Sequence, residues 1–289
     1  RETDPQVETL CSVTIEDPYL CPRYAARIVQ NVTIKPSPLW LRQRLEAQGV
    51  RAINNIVDVT NYVMMELGQP LHAFDYHRLQ ENRIVVRRAR PNETFVTLDG
   101  QNHQLGQDML LICDANQGVA VAGIMGGLNS EITPETNTVL IESAYFQPTG
   151  TRRTAKSLGL STESSYRFER GVDPDGVITA LDRAAQLMEE LGEGELAKGR
   201  IDVYPLPITL KPIELRVSKT NRFLGTDLSR EEISKHLESI QLEVSTAGED
   251  LLLVNPPSFR ADLTREVDLM EEVARLAGYD LIPSALPMA

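Results

Sequence analysis

Pro205, Pro207 and Pro212 stand within eight residues of one another, two-thirds of the way along a 289-residue chain. Each proline fixes its own φ and supplies no backbone N–H, so neither a regular helix nor a central strand runs through this stretch. A chain interrupted in this way folds as two units, and the proline run reads as the linker between them. We expect a first domain over 1–205 and a second over 208–289. A chain of about 300 residues buries roughly 75% of its extended surface, so no disulfide or metal staple is required. The 42% hydrophobic content argues against wholesale disorder. No run of 18 apolar residues is present, so no membrane span is expected. The charged opening RETDPQVETL does not read as a signal peptide. Cys11, Cys21 and Cys113 lack metal-ligand spacing and point to a reducing cytoplasm. Without an initiator methionine, the chain reads as a fragment of something longer.

Ahead of the prolines, helical and strand patterns are mixed. Ser37-Pro38, followed by Leu39, Trp40, Leu41 and Leu45 and closed by Gly49, predicts a serine-capped helix. Ile56, Val59, Val63 and Leu67 recur at helical spacing and stop at Gly68. Strands are predicted over 84–88, 94–98, 101–105, 109–113, 119–124 and 139–145, with Asp99-Gly100 as a hairpin turn. Asp173-Pro174 opens a helix whose Val177, Leu181, Ala184, Met188 and Leu191 share a face up to Gly192. The segment GEGELAKGR then breaks the pattern. Beyond the linker, a strand over 213–217 precedes a capping box formed by Ser229 and Glu232, ahead of Ile233, Leu237 and Ile240. A hairpin pairs 242–244 with 251–254, and a helix over 263–277 turns Val267, Met270, Ala274 and Ala277 inward. The fold class is α+β: a first domain with a mixed or antiparallel sheet, then a small α+β module.

No Walker or dinucleotide loop is present, because Gly123-Ile124-Met125-Gly126-Gly127 lacks both spacings. That turn is either a tight corner or a close backbone approach to a ligand. No GxSxG or HExxH occurs. Four clusters remain. Thr60, Asn61 and His72 offer a hydroxyl, an amide and an imidazole; a lone histidine near a proline is otherwise a cap or core residue. Glu142 interrupts an apolar strand, where a carboxylate either pairs with an arginine or faces a polar cavity. Residues 161–173 are dense in hydroxyls and charges, as a helix cap with surface ion pairs also would be. Asp268, Glu271 and Glu272 share a helix face, with Asp262 just upstream. Four carboxylates suit a hard cation such as Mg²⁺, but spacing alone favours a solvated face with Glu271 and Glu272 paired to Arg275.

The net charge of −12 argues against generic nucleic-acid binding. It is unevenly spread. Arg152, Arg153, Lys156, Arg167 and Arg170 outweigh Glu163 and Glu169, and a second basic run comprises Arg83, Arg87, Arg88 and Arg90. Both are candidate anion-facing patches.

Five segments carry a resemblance: NNIVDVTNYVMMELGQPLHAFD (54–75), VAGIMGG (121–127), ESAYF (142–146), STESSYRFERGVD (161–173) and PSFRADLTREVDLMEEVARLAGYDLIP (257–283). In this order they resemble the β subunit of bacterial phenylalanyl-tRNA synthetase, from about Tyr24 to Pro283. The resemblance implies a B3/B4-like editing domain followed by a winged-helix-like B5 domain. It implies hydrolysis of tyrosine wrongly attached to tRNA(Phe), in a pocket lined by Arg51, Thr60, Asn61, His72, Gly126, Glu142 and Thr162. Ser164 stands where some relatives carry alanine. It further implies a Mg²⁺ site at Asp262, Asp268, Glu271 and Glu272, shared with an α subunit. The whole enzyme would be a cytoplasmic, ATP-dependent phenylalanine-tRNA ligase of two α and two β subunits, with no synthetic active site in this chain.

The chemistry agrees with that role. Phenylalanine and tyrosine differ by one hydroxyl, which Glu142 can read through a charge-assisted hydrogen bond. Thr60, Asn61 and His72 suit positioning of the ester, ribose or water. Two other readings stay open. One is a non-catalytic module that docks the α subunit or a nucleic acid. The other is a Mg²⁺-dependent hydrolase built on the four carboxylates.

Overall fold

The computed structural model describes residues 2–283. They divide into two compact units, Arg1–Ile208 and Thr209–Ala289.

The first unit stacks a helical layer and two sheets. One sheet runs in the order Glu2–Gln6, Glu195–Lys198, Arg23–Gln30, Thr138–Tyr145, Leu71–Asp75, with Ile201–Val203 also on Arg23–Gln30. Its pairs are antiparallel except that between the first two strands. The other sheet runs Met125–Gly126, Gly118–Val121, Leu110–Cys113, Arg83–Arg88, Ser12–Ile15. Leu140 and Ala144 pack with Tyr24, Ile28 and Phe74 against Ile84, Val86 and Ile112 of the second sheet. Val139 and Ile141 point the other way, onto Ile56, Val59, Val63, Leu181 and Met188 of the helical layer. The Thr138–Tyr145 strand is therefore buried on both faces, which accounts for its unbroken apolar run. Since side chains alternate along a strand, Glu142 shares the inter-sheet face with Leu140 and Ala144.

The helices end where local chemistry ends them. Asn54 caps Asn55–Leu67 by accepting from the backbone N–H groups of Ile56 and Val57, and Gly68 closes it with φ +74°. The Gly176–Gly192 helix packs Val177, Leu181, Ala184 and Met188 into the core as its spacing predicts. The Leu39–Ala47 helix departs from expectation, because Pro38 and not Ser37 occupies its N-cap. The Ser37 hydroxyl instead donates to buried Asp58 at 2.6 Å.

The second unit has a three-stranded antiparallel sheet, Ile213–Arg216, Leu251–Asn255, Glu243–Thr246, with helices Val217–Leu224, Arg230–Glu238 and Glu266–Ala277. The capping box of Ser229 and Glu232 forms as the spacing predicts. The last helix is rotated from its expected face. It buries Leu269, Met270, Val273 and Ala274, whereas Val267 is 42% exposed. Among the described residues, no helix is long and apolar enough to cross a membrane.

Candidate active site

The first unit holds a cavity of about 480 Å³, and seven of the sequence-predicted residues line it: Thr60, Asn61, His72, Gly126, Glu142, Thr162 and Ser164. Arg51 is exposed in the loop before the Asn55–Leu67 helix and is not among the lining residues.

The register of the first sheet builds the floor. Glu142 and His72 are direct partners across the Thr138–Tyr145 and Leu71–Asp75 strands, with Ala26 opposite Glu142 on the other side. Glu142 is 5% exposed and has no arginine partner. Its Oε2 accepts a hydrogen bond from the Tyr24 hydroxyl at 2.9 Å. Burial pushes the Glu142 carboxyl up to about 8, against the opposing pull of the Tyr24 hydrogen bond. At neutral pH the cavity floor thus carries a largely protonated acid. Such a group donates one hydrogen bond and accepts others, so it can pair with a phenol whichever partner gives the proton.

His72 lies edge-to-face on Phe74, with ring centroids 4.5 Å apart. Burial pushes the imidazole down to about 4, so it is neutral near pH 7. Gly126 packs directly on this ring. A Cβ built there would sit 2.7 Å from His72 Nε2, and nearer still to Cε1. Gly126 and Gly123 both line the cavity, while Gly127 packs against Phe95 and the Val119 carbonyl. The close backbone approach read in this turn is therefore toward a histidine on one side of an open space.

Thr60 is buried and donates its hydroxyl proton to the Val57 carbonyl at 2.7 Å, which leaves its oxygen to accept. Asn61 lies one residue further along the helix, half-buried at the cavity wall. On the opposite side, Thr162 caps the Glu163–Phe168 helix in a reciprocal pair with Ser165 and donates to the Ile124 carbonyl at 2.9 Å. Ser164 donates to the Gly123 carbonyl at 3.3 Å. Both hydroxyls clamp the glycine turn, so Ser164 spends its polarity on the backbone and leaves little for a ligand.

Three of the four carboxylates of the second unit are engaged elsewhere. Asp262 is paired with Arg260 at 2.7 Å, and Glu272 with both Arg260 and Arg275 at 3.1 and 2.5 Å. Asp268 accepts from the backbone N–H groups of Thr264 and Arg265, completing the cap of the Glu266–Ala277 helix, and is paired with the Arg265 guanidinium. Glu271 is exposed. Among the described residues no group of three or more carboxylate, histidine or cysteine side chains is arranged to hold a metal ion. The donor set does not fit Mg²⁺, because the guanidinium groups already occupy the oxygens a cation needs.

Two arginines of the second basic run are also absorbed by the fold. Arg87 is buried and bidentate to Glu93 at 2.8 Å, and Arg88 pairs with Asp17 at 2.5 Å. The three cysteines are buried and free. Tyr24 went unpredicted as a site residue, since nothing within four positions of it points to Glu142. Met64 and Phe168 also line the cavity.

A cavity held between two sheets, closed by a glycine turn and a short capped helix, and followed by a separate α+β unit defines a class. A family model of the B3/4 domain matches residues 20–193, and one of the tRNA synthetase B5 domain matches residues 213–279. The chain belongs to the B3/4 domain family. It is 53% identical over 291 residues to the phenylalanine–tRNA ligase β subunit of Syntrophus aciditrophicus, covering 99% of this chain and 36% of that protein. It is 52% identical to the same subunit of Geobacter metallireducens, covering 100% of this chain and 36% of that one. The chain thus spans about a third of the length of the curated relatives it matches. A crystal structure of an N-terminal fragment of the phenylalanyl-tRNA synthetase β subunit from Pyrococcus horikoshii aligns with 96% of this chain and 78% of that one, at TM-score 0.47 and 16% identity.

Proposed function

We propose that the cavity hydrolyses the ester of tyrosine mischarged onto tRNA(Phe). The observation that carries this reading is Glu142, a buried carboxyl with no cationic partner, at the floor of a cavity that apolar side chains such as Met64, Ile112 and Phe168 line together with Thr60, Asn61 and His72. A tyrosine phenol entering there meets a hydrogen-bonding partner. A phenylalanine ring meets the same carboxyl and adds no hydrogen bond to the one it has from Tyr24, a difference of about 1–3 kcal/mol. The ester lies toward the cavity wall at Thr60, Asn61 and His72. Neutral His72 accepts a hydrogen bond from the attacking water, and the Asn61 amide and the Thr60 oxygen hold the ester and ribose. We assign His72 the role of positioning the water, since no carboxylate pairs with its ring to raise its basicity; burial alone sets its titration.

On the same reading, residues 1–205 are the editing module and 208–289 a B5-type module within the β subunit of a cytoplasmic two-α, two-β ligase. ATP and the synthetic site belong to the rest of that enzyme. No step is assigned to Mg²⁺ at the four carboxylates. The test is deacylation of Tyr-tRNA(Phe) by the intact enzyme. Glu142→Ala and His72→Ala are each expected to slow it by tenfold or more while Phe-tRNA(Phe) synthesis is retained. Unchanged deacylation by both variants overturns the assignment.

A further inference from the structure

We propose that a groove on the outer side of the Glu163–Phe168 helix binds the phosphates and a base of a single-stranded RNA end. The proposal rests on the editing reading, because it names the strand that would deliver the ester to the cavity. The groove has a volume of about 290 Å³, and Arg152, Lys156 and Tyr166 are among its lining residues. Three observations support it.

The first is uncompensated charge. Arg152, Arg153 and Lys156 are exposed on the Pro148–Leu158 helix, and none has an ion-pair partner among the described residues. The acidic groups nearby are spoken for, since Glu163 pairs with Arg167 at 2.7 Å and Glu169 with Arg170 at 2.5 Å. In a chain of net charge −12, a cluster of free cations calls for an anionic partner. The Arg83–Arg88 strand shows the contrast, because its buried arginine is neutralised within the fold.

The second is a stacking surface. Tyr166 is 53% exposed, and the Arg170 guanidinium lies 3.6 Å from its ring centroid. A tyrosine backed by a guanidinium holds a flat face toward solvent, which suits a nucleobase better than an acidic peptide. Arg152 and Lys156 stand four residues apart on the helix, a rise of about 6 Å, close enough to meet neighbouring phosphates.

The third is continuity. The Glu163–Phe168 helix presents Ser164 and Phe168 to the cavity and Ser165 and Tyr166 to the groove. A strand seated in the groove has its end one helix width from the cavity.

The experiment is fluorescence anisotropy of the full chain with a 5′-fluorescein RNA octamer ending in CCA, across a salt series. Arg152→Ala/Lys156→Ala is expected to weaken binding tenfold or more and to flatten the slope of log K against log[salt] by about 1.4. Tyr166→Ala is expected to weaken binding by about fivefold to a hundredfold with the slope unchanged, since stacking releases no counterion. All three side chains are exposed, so the variants should fold, as circular dichroism verifies. Absence of binding by the unaltered chain, variant affinities equal to it, or equal competition by a polyglutamate peptide overturns the proposal. Free tyrosine binding, followed by calorimetry, is a separate readout. Its loss with RNA effects intact indicts the cavity reading, and its retention with no RNA effect indicts the groove.

Discussion

Glu142 and His72 face each other across two strands and are perturbed by the same burial in opposite directions. In the unfolded chain the Glu142 carboxyl ionises near 4.5, and in the folded chain near 8. Between those values the folded state holds a proton the unfolded state has released, so stability falls as pH rises through this window. Glu142→Gln is expected to abolish the fall and to make the protein more stable at pH 8, by at most about 5 kcal/mol. Urea unfolding at pH 5 and pH 8 measures it. His72 acts in the reverse sense. Its folded value near 4 lies below the unfolded 6.5, so its contribution is lost as pH falls through that range. Deacylation should then show no inflection near 6.5 attributable to this imidazole, and a pH–rate profile reads this directly. Tyr24→Phe removes the one hydrogen bond Glu142 has and is expected to destabilise by about 1–3 kcal/mol, seen as a lower midpoint in urea.

The glycine turn at 123–127 and the Glu163–Phe168 helix together form the cavity's movable-looking edge, yet each is held by named bonds. Thr162 and Ser164 fix the turn's carbonyls, and Gly126 fits only because it has no side chain. Gly126→Ala drives a methyl into the His72 ring, and its effect should exceed that of an ordinary overpacking change of about 1–3 kcal/mol in one respect. Ligand binding and deacylation should fail even where the protein still folds, because the displaced imidazole fills the cavity. Ser164→Ala, by contrast, loses only one long hydrogen bond and should alter stability by about 1 kcal/mol or less. Calorimetry with tyrosine separates the two variants. Several element boundaries with a local cause were legible in sequence, although Ser37 was not the cap it resembled. Gly68 closes one helix, and Ser229 with Glu232 opens another. The Arg23–Gln30 strand was not legible, because RYAARIVQ carries arginines that only distant Asp182, Glu2 and Asp202 neutralise.

At the scale of the whole chain, each compact unit has its own apolar core, and the proline run lies at their boundary. The second unit's carboxylates serve its own arginines and its own helix cap. Adding a chelator is therefore expected to leave thermal unfolding of the chain unchanged, whereas Asp268→Ala should destabilise the second unit by about 1 kcal/mol through the lost cap. A thermal scan with and without chelator decides this. The net charge of −12 is likewise resolved into local balances. In one basic run Arg87 and Arg88 are paired with Glu93 and Asp17; in the other Arg167 and Arg170 are paired, while Arg152, Arg153 and Lys156 have no ion-pair partner among the described residues.

By itself the sequence determined what short-range chemistry controls: the two-unit division at the prolines, the capped helices, the Asp99-Gly100 hairpin and the apolar strand interrupted by Glu142. It also brought most of the cavity's residues into view through their resemblance to a family. Only the tertiary structure decided what those residues do to one another. Tyr24 and Glu142 are 118 residues apart, and their hydrogen bond exists because the sheet registers them. The four acidic residues were compatible with a cation site in sequence, yet Asp262, Asp268 and Glu272 form ion pairs with arginines of their own unit. Charge, protonation and pairing depend on what surrounds a group in space, and spacing along a chain records only the neighbours within a turn or two.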